Sequence, residues 1–167
     1  MYEQSFDTPL GPLRVRADDA GITAVTFAEP TGHNPNALTQ AGVTQLAEYF
    51  DGTRREFTLP LAPAGTTFQQ AVWSQLNQIP FGQTCSYGDI ANRLANPKAV
   101  RAVGAANGRN PIAVIVPCHR VIGANGTLTG YAGGLDRKSW LLNHEGVTLK
   151  PTTKTNPVEE AQGLLFQ

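Results

Sequence analysis

Cys118 and His119 stand side by side in the run Ile115-Val116-Pro117-Cys118-His119-Arg120-Val121-Ile122. A thiol becomes a strong nucleophile only as its thiolate, and imidazole is the side chain best matched to take its proton near neutral pH. The pair therefore points to nucleophilic chemistry at sulfur. Burial alone also accounts for a cysteine in an apolar run, because cysteine is among the most buried residue types. Strand geometry adds an objection: successive side chains of a strand point to opposite faces, so a strand running through both residues would hold thiol and imidazole apart. Pro117 removes the objection if it ends the strand, since a turn or helix start after it can set both side chains on one cavity, joined by a water.

Glu145 is the next group that can take part. It closes a helix expected from about Leu135 to His144, with Gly146 as its cap. A carboxylate there opposes the helix macrodipole, which suggests either a solvated end or a partner such as His119. Cys85 has no imidazole beside it, so thiolate character is expected to concentrate at Cys118. With only these two cysteines, and with His33, His119 and His144 scattered singly, neither a disulfide scaffold nor a metal site is expected.

The 167 residues, 41% of them hydrophobic, suffice for one ordinary domain or two small ones. No run approaches the roughly 20 apolar residues of a membrane span. Glu3 and Asp7 stand where a secretion signal needs basic and then apolar residues, so a cytoplasmic protein with no membrane partner is expected.

Short strands are expected over Met1 to Phe6, Leu13 to Ala17 and Ile22 to Phe27, separated by Thr8-Pro9-Leu10-Gly11-Pro12 and Asp18-Asp19-Ala20-Gly21. A helix follows from Leu38 to Phe50, and Glu56 to Leu61 closes a small α/β unit. Pro60, Pro63 and Gly65 mark a linker, and the pattern then turns helical. Thr66 or Thr67 caps a helix through Leu76, Ser86 caps a second carrying Tyr87, Ile90, Ala91 and Leu94, and Lys98 to Asn107 makes a third after Asn96-Pro97. Two short helices joined by a turn are the helix-turn-helix arrangement. The third helix surrounds Arg101 with alanine, valine and glycine, side chains small enough for close approach to another helix or to the wall of a nucleic-acid groove. The implied domains are 1–62, 63–148 and a floppy tail over 149–167.

Formal net charge is zero, but it divides unevenly. Residues 1–65 carry four basic and eight acidic side chains, whereas residues 66–147 carry seven basic and three acidic. The second half is where a polyanion would dock.

Pro117-Cys118-His119-Arg120-Val121, preceded by Asn110-Pro111 and followed by Gly130-Tyr131-Ala132-Gly133-Gly134-Leu135 and Trp140-Leu141-Leu142-Asn143-His144-Glu145-Gly146, closely resembles the O6-alkylguanine-DNA alkyltransferases over about Phe68 to Val147. The resemblance implies a ribonuclease H-like α/β domain, with a small antiparallel sheet and a helix, followed by a mainly helical winged-helix or helix-turn-helix domain. It implies stoichiometric transfer of an alkyl group from O6 of guanine, and possible action on O4 of thymine, to Cys118, with the nucleotide flipped out through the minor groove and the protein consumed. It implies a monomer acting on double-stranded DNA without a cofactor. Under it His119 is the base acting through a water, Glu145 orients the imidazole, and Asn110 holds the local turn. Tyr87 rotates the phosphate and Arg101 fills the vacated stack, with Asn96, Gly88 and Ala124 also at the DNA. Val121, Tyr131, Ala132 and Lys138 form the substrate pocket. Ala132 replaces a hydroxyl residue of some relatives, and residues 1–65 lack the cysteines with which some relatives bind zinc.

Three other readings compete. A damage-binding module of the alkyltransferase-like kind lacks the acceptor cysteine that Cys118 supplies. A thiol hydrolase built on Cys118, His119 and Glu145 would turn over repeatedly and needs no helix-turn-helix. A transcription regulator has no use for the Cys-His-Glu set.

Overall fold

Side-chain alternation folds the amino-terminal segment into an antiparallel meander of β1 (Tyr2–Thr8), β2 (Gly11–Ala17) and β3 (Ile22–Phe27), in that spatial order. The computed structural model describes residues 1–149, and the tail expected beyond lies, from residue 150, outside the described residues. The first hairpin is tighter than the five-residue loop expected from sequence. Thr8 pairs with Gly11, so only Pro9 and Leu10 form the turn, and Gly11 supplies the positive φ of 104° that leads into β2. Thr8 Oγ1 accepts from the Leu10 N–H and donates to the Gly11 carbonyl.

Leu13, Val15 and Ala17 of β2 are buried while Arg14 and Arg16 alternate outward, as a sheet covered on one face requires. The cover is α1 (Ala37–Asp51), capped by Asn36 and Thr39 in a reciprocal capping box and packed through Leu46 and Tyr49. Each such buried apolar side chain stabilises by about 1.5–3 kcal/mol. A Cβ at Gly42 would sit 3.1 Å from Val15 Cγ1, so helix and sheet approach as closely as glycine permits.

Glu56 to Leu61 does not form a strand. It makes one parallel bridge, Ile22 to Leu61, because Pro60 has no N–H to continue a ladder. Farther along β3 the partner is distant in sequence: the Val25 N–H donates to the Pro111 carbonyl, and the Val25 carbonyl accepts from the Ala113 N–H. Pro111–Ile115 thus joins Met1–Gly65 in one compact unit, and Thr66–Asn110 with the described residues from Val116 onward makes the other.

In the second unit two helices open with capping boxes that their sequences announce. Thr66 and Gln69 start α2 (Thr67–Leu76), and Ser86 and Asp89 start α3 (Tyr87–Arg93). α3 ends where the Ala95 N–H bonds to the Asn92 carbonyl and the Asn96 N–H to that of Ala91, with Ala95 in the left-handed region at φ 56°. Pro97 follows, and α4 (Val100–Gly108) completes the helix-turn-helix.

The small residues of α4 are divided between a buried and an exposed face. Val103, Ala106 and Asn107 are buried, with the Trp73 indole N–H bonded to the Ala106 carbonyl at 2.9 Å, while Arg101, Ala102 and Ala105 are exposed. Two elements were not expected: β4 (Cys85–Ser86) and β5 (Val121–Ile122), which pair in parallel. α5 (Leu135–His144) closes the unit, with Gly146 at φ 82° and the Val147 N–H reaching the Leu142 carbonyl. No helix of the described residues is long and apolar enough to cross a membrane.

Candidate active site

Residues 113–120 are not a strand, and that removes the objection to Cys118 and His119 acting together. The Ile115 N–H bonds to the Ala113 carbonyl across Val114, whose φ is 69°. A positive φ on a β-branched residue costs on the order of 1–3 kcal/mol and persists only where the surroundings enforce it. A second three-residue turn follows at Pro117 (φ −81°, ψ 64°), where the Cys118 N–H bonds to the Val116 carbonyl. Cys118–Arg120 then forms one turn of 3₁₀ helix. Asn110 Nδ2 donates to the Val116 carbonyl at 2.8 Å, tying together the two ends of the 111–115 excursion.

His119 is fully buried, and its Nε2 lies 2.7 Å from Glu145 Oε2. Arg120 also holds that carboxylate: Nε donates to Oε1 at 2.7 Å and Nη2 to Oε2 at 3.1 Å, while Nη1 donates to the Ile79 carbonyl at 2.6 Å. Sequence reasoning paired Glu145 with His119 but missed Arg120, whose position in the Cys-His-Arg triplet was its one available signal. Burial pushes the Glu145 carboxyl up, but hydrogen bonds and charge from His119 and Arg120 outweigh it and hold the group well below the usual carboxylate range. Burial pushes the His119 imidazole below its ordinary value; Glu145 opposes this, and Arg120 and Lys138 add to it. His119 is therefore neutral at pH 7, and its Nδ1 is buried with no hydrogen-bond partner among the described residues.

Cys118 opens on a cavity of about 260 Å³ lined also by Asn107, Arg109, Gly130, Tyr131 and Ala132. The volume lies near the lower end of small-molecule sites. The Tyr131 hydroxyl is buried without an oxygen or nitrogen partner among the described residues. Neither cysteine is a thiolate at rest. Burial pushes the Cys118 thiol up from its ordinary value, more than the Asn110 amide, the Lys138 ammonium and the Tyr131 hydroxyl pull it down, and burial pushes Cys85 up as well. Nucleophilic chemistry at this sulfur requires a base to take its proton.

Lys138 is buried, and its Nζ donates to the Val121 carbonyl at 2.6 Å, the Gly130 carbonyl at 3.1 Å and Thr129 Oγ1 at 3.3 Å. It pins the glycine-rich loop to β5. Burial lowers its pKa to about 8. Tyr87 opens α3 with its hydroxyl 3.0 Å from Thr129 Oγ1 in the same loop, and Gly88 follows it, half-buried. Asn96, Arg101 and Ala124 are exposed and do not line the cavity, and the buried Val121 does not line it either. The basic surplus is smaller at the surface than in the sequence. Arg120 and Lys138 are buried, as is Glu145, leaving Arg93, Lys98, Arg101, Arg109 and Arg137 against Asp89 and Asp136.

Residues 1–63 match the ribonuclease-like domain of 6-O-methylguanine DNA methyltransferase, and residues 67–147 match that family's DNA binding domain. The chain is 50% identical over 155 residues to the methylated-DNA–protein-cysteine methyltransferase of Methanosarcina acetivorans, an alignment covering 87% of this chain and 99% of that protein. Identity to the Shigella flexneri protein of the same name is 47% over 167 residues, 89% of this chain and 98% of the relative. Among solved structures, Mycobacterium tuberculosis OGT in complex with DNA is similar with a TM-score of 0.81 and 46% identity, covering 87% of this chain and 92% of that one.

Proposed function

The chain belongs to the 6-O-methylguanine DNA methyltransferase family, and from that premise we propose that it repairs double-stranded DNA by moving an alkyl group from O6 of guanine to Cys118 Sγ. The observation that carries the proposal is Cys118 on a cavity shared with Tyr131, with the His119–Glu145 pair in the next residue's reach.

His119 Nδ1 takes the thiol proton through a water, and the thiolate attacks the alkyl carbon. The S–C bond forms as the C–O6 bond breaks, its electron pair passing to O6. The base leaves as guanine once the proton taken from sulfur is restored to it. Tyr131 supplies a buried donor for a ring nitrogen. Main-chain groups at Cys118, Val121 and Ala132 hold the base's edge, because Ala132 has no hydroxyl to offer. The thioether has no leaving group for water to displace, so each chain acts once and needs no partner copy.

An O6 atom inside the stack is out of reach, so the nucleotide must rotate out. The exposed small-residue face of α4 suits the minor groove, and Arg101 on that face fills the vacated stack. Tyr87 exchanges Thr129 for the target's phosphate, while Gly88, Asn96 and Ala124 line the backbone's path. O4-alkylthymine presents the same alkoxy carbon beside a ring nitrogen and is included as a second substrate.

Intact-mass measurement after incubation with duplexes carrying O6-methylguanine, and separately O4-methylthymine, tests the reading. One methyl per chain, mapped to the Cys118 peptide and abolished by Cys118→Ser, is expected. Several equivalents repaired per chain, or methyl on Cys85, would refute it.

A further inference from the structure

Glu145 is shared between His119 and the Arg120 guanidinium, and the way it is shared sets the protonation of the base. We propose that Arg120 is a positioning residue: by engaging both carboxylate oxygens of Glu145 it keeps His119 a neutral imidazole, with its proton on Nε2 and its lone pair on Nδ1. This rests on the reading of Cys118 as the alkyl acceptor, and it assigns the device that keeps that acceptor's base ready.

A carboxylate beside a lone buried imidazole would draw a proton onto it. The resulting imidazolium has no lone pair and cannot take the proton of Cys118. Arg120 prevents this because the carboxylate already has a counter-charge, one that does not deprotonate. Its guanidinium cannot swing away: the fork rests on Glu145, Nη1 is anchored to the Ile79 carbonyl, and the Phe81 ring centroid lies 5.8 Å from Cζ. The same Ile79-to-Gly82 segment brings the Gly82 N–H to 3.4 Å from Glu145 Oε1.

A proton added to His119 would place a second cation on a carboxylate that is already neutralised. Among the described residues the remaining charged group that bears on His119 is Lys138 of α5, which adds positive charge, while the neighbouring Cys118 is a neutral thiol at rest. Both leave the imidazole neutral. Burial, Arg120 and Lys138 all push it that way, and Glu145 alone pushes against them.

The test is ¹⁵N NMR of the full chain with labelled histidine, the His119 signals being assigned against His33→Gln and His144→Gln. In the wild type His119 should show the neutral, Nε2-protonated pattern near pH 7. Arg120→Met should move its titration midpoint upward by about one pH unit or more, since an unshared carboxylate within contact distance favours the charged form by that much. Arg120→Lys keeps the charge and should return the midpoint close to that of the wild type. An imidazolium in the wild type near pH 7 overturns the proposal even if Arg120→Met does not fold, and so does an unmoved midpoint in a folded Arg120→Met. No DNA is present, so failure here is distinct from failure of methyl transfer to Cys118.

Discussion

His119 Nε2 lies 2.7 Å from Glu145 Oε2, and an ionised carboxylate can only accept, so Nε2 carries the proton and Nδ1 is the nitrogen left to act as base. Cys118 begins the same turn of 3₁₀ helix and keeps its proton at rest, so the proposed transfer to its sulfur needs that base.

The rate of methyl transfer should therefore have an acid limb lying below the ordinary imidazole value of 6.5, because burial lowers the pKa of His119. Single-turnover rates on methylated duplex should stay level as pH falls from 8 to 6.5 and drop below that. Folding stability should fall in the same direction. The unfolded imidazole binds a proton below 6.5 that the buried one refuses, and below 4.5 unfolded Glu145 binds one that the native carboxylate refuses. A rate limb centred above 6.5 would contradict the assignment.

Glu145→Gln should cost more than a hydrogen bond. An amide fixes neither tautomer of His119, and the loss of oriented general-base catalysis is roughly 10²- to 10⁴-fold in rate. It also leaves the Arg120 guanidinium buried without its counter-charge, a loss of about 3–5 kcal/mol. Single-turnover kinetics and urea unfolding of the variant measure the two effects separately.

Among the described residues Lys138 binds three oxygens and no carboxylate, so its charge is held at a cost. Its pKa is about 8 in the folded protein against 10.5 for the free side chain, so between those values the unfolded chain binds a proton that the native one has released. Stability from this group should rise with pH across that window, by roughly 3 kcal/mol, and be constant below pH 8. The difference in unfolding free energy between wild type and Lys138→Met, followed from pH 7 to 10.5, should show that rise. A flat difference would mean that the ammonium is not desolvated.

Arg101→Ala should slow repair of duplex DNA far more than reaction with free O6-methylguanine base, since unstacking costs a few kcal/mol only in the duplex. Equal losses on both substrates would assign Arg101 to chemistry or folding. Binding should also weaken steeply with salt, with a log–log slope of about 0.9 per phosphate neutralised. The exposed cations Arg93, Lys98, Arg101 and Arg109 set that slope, and Arg120 and Lys138, being buried, add nothing to it.

What the sequence determined by itself was whatever neighbours three or four residues apart could settle. Asn36 with Thr39, Thr66 with Gln69 and Ser86 with Asp89 each close a capping box on the spot, and the period of Leu135 to His144 marks its helix end to end. The Cys118-His119 pair and the misplaced acid Glu145 were visible because each breaks a local rule. Only the tertiary structure decided that Cys118 and His119 leave the strand register, since that follows from two three-residue turns and from Asn110 reaching Val116. Only it decided that residues 111–115 pair with Val25, and that two-residue β4 and β5 find each other, pieces too short to show any period. Arg120 and Lys138 mark the limit most sharply. In the sequence each is one more basic side chain, and their burial depends on acceptors up to 41 residues away, at Ile79, Glu145, Val121 and Gly130. A charge leaves water only where such partners have already been assembled, so its role is written in the fold and not in its neighbours.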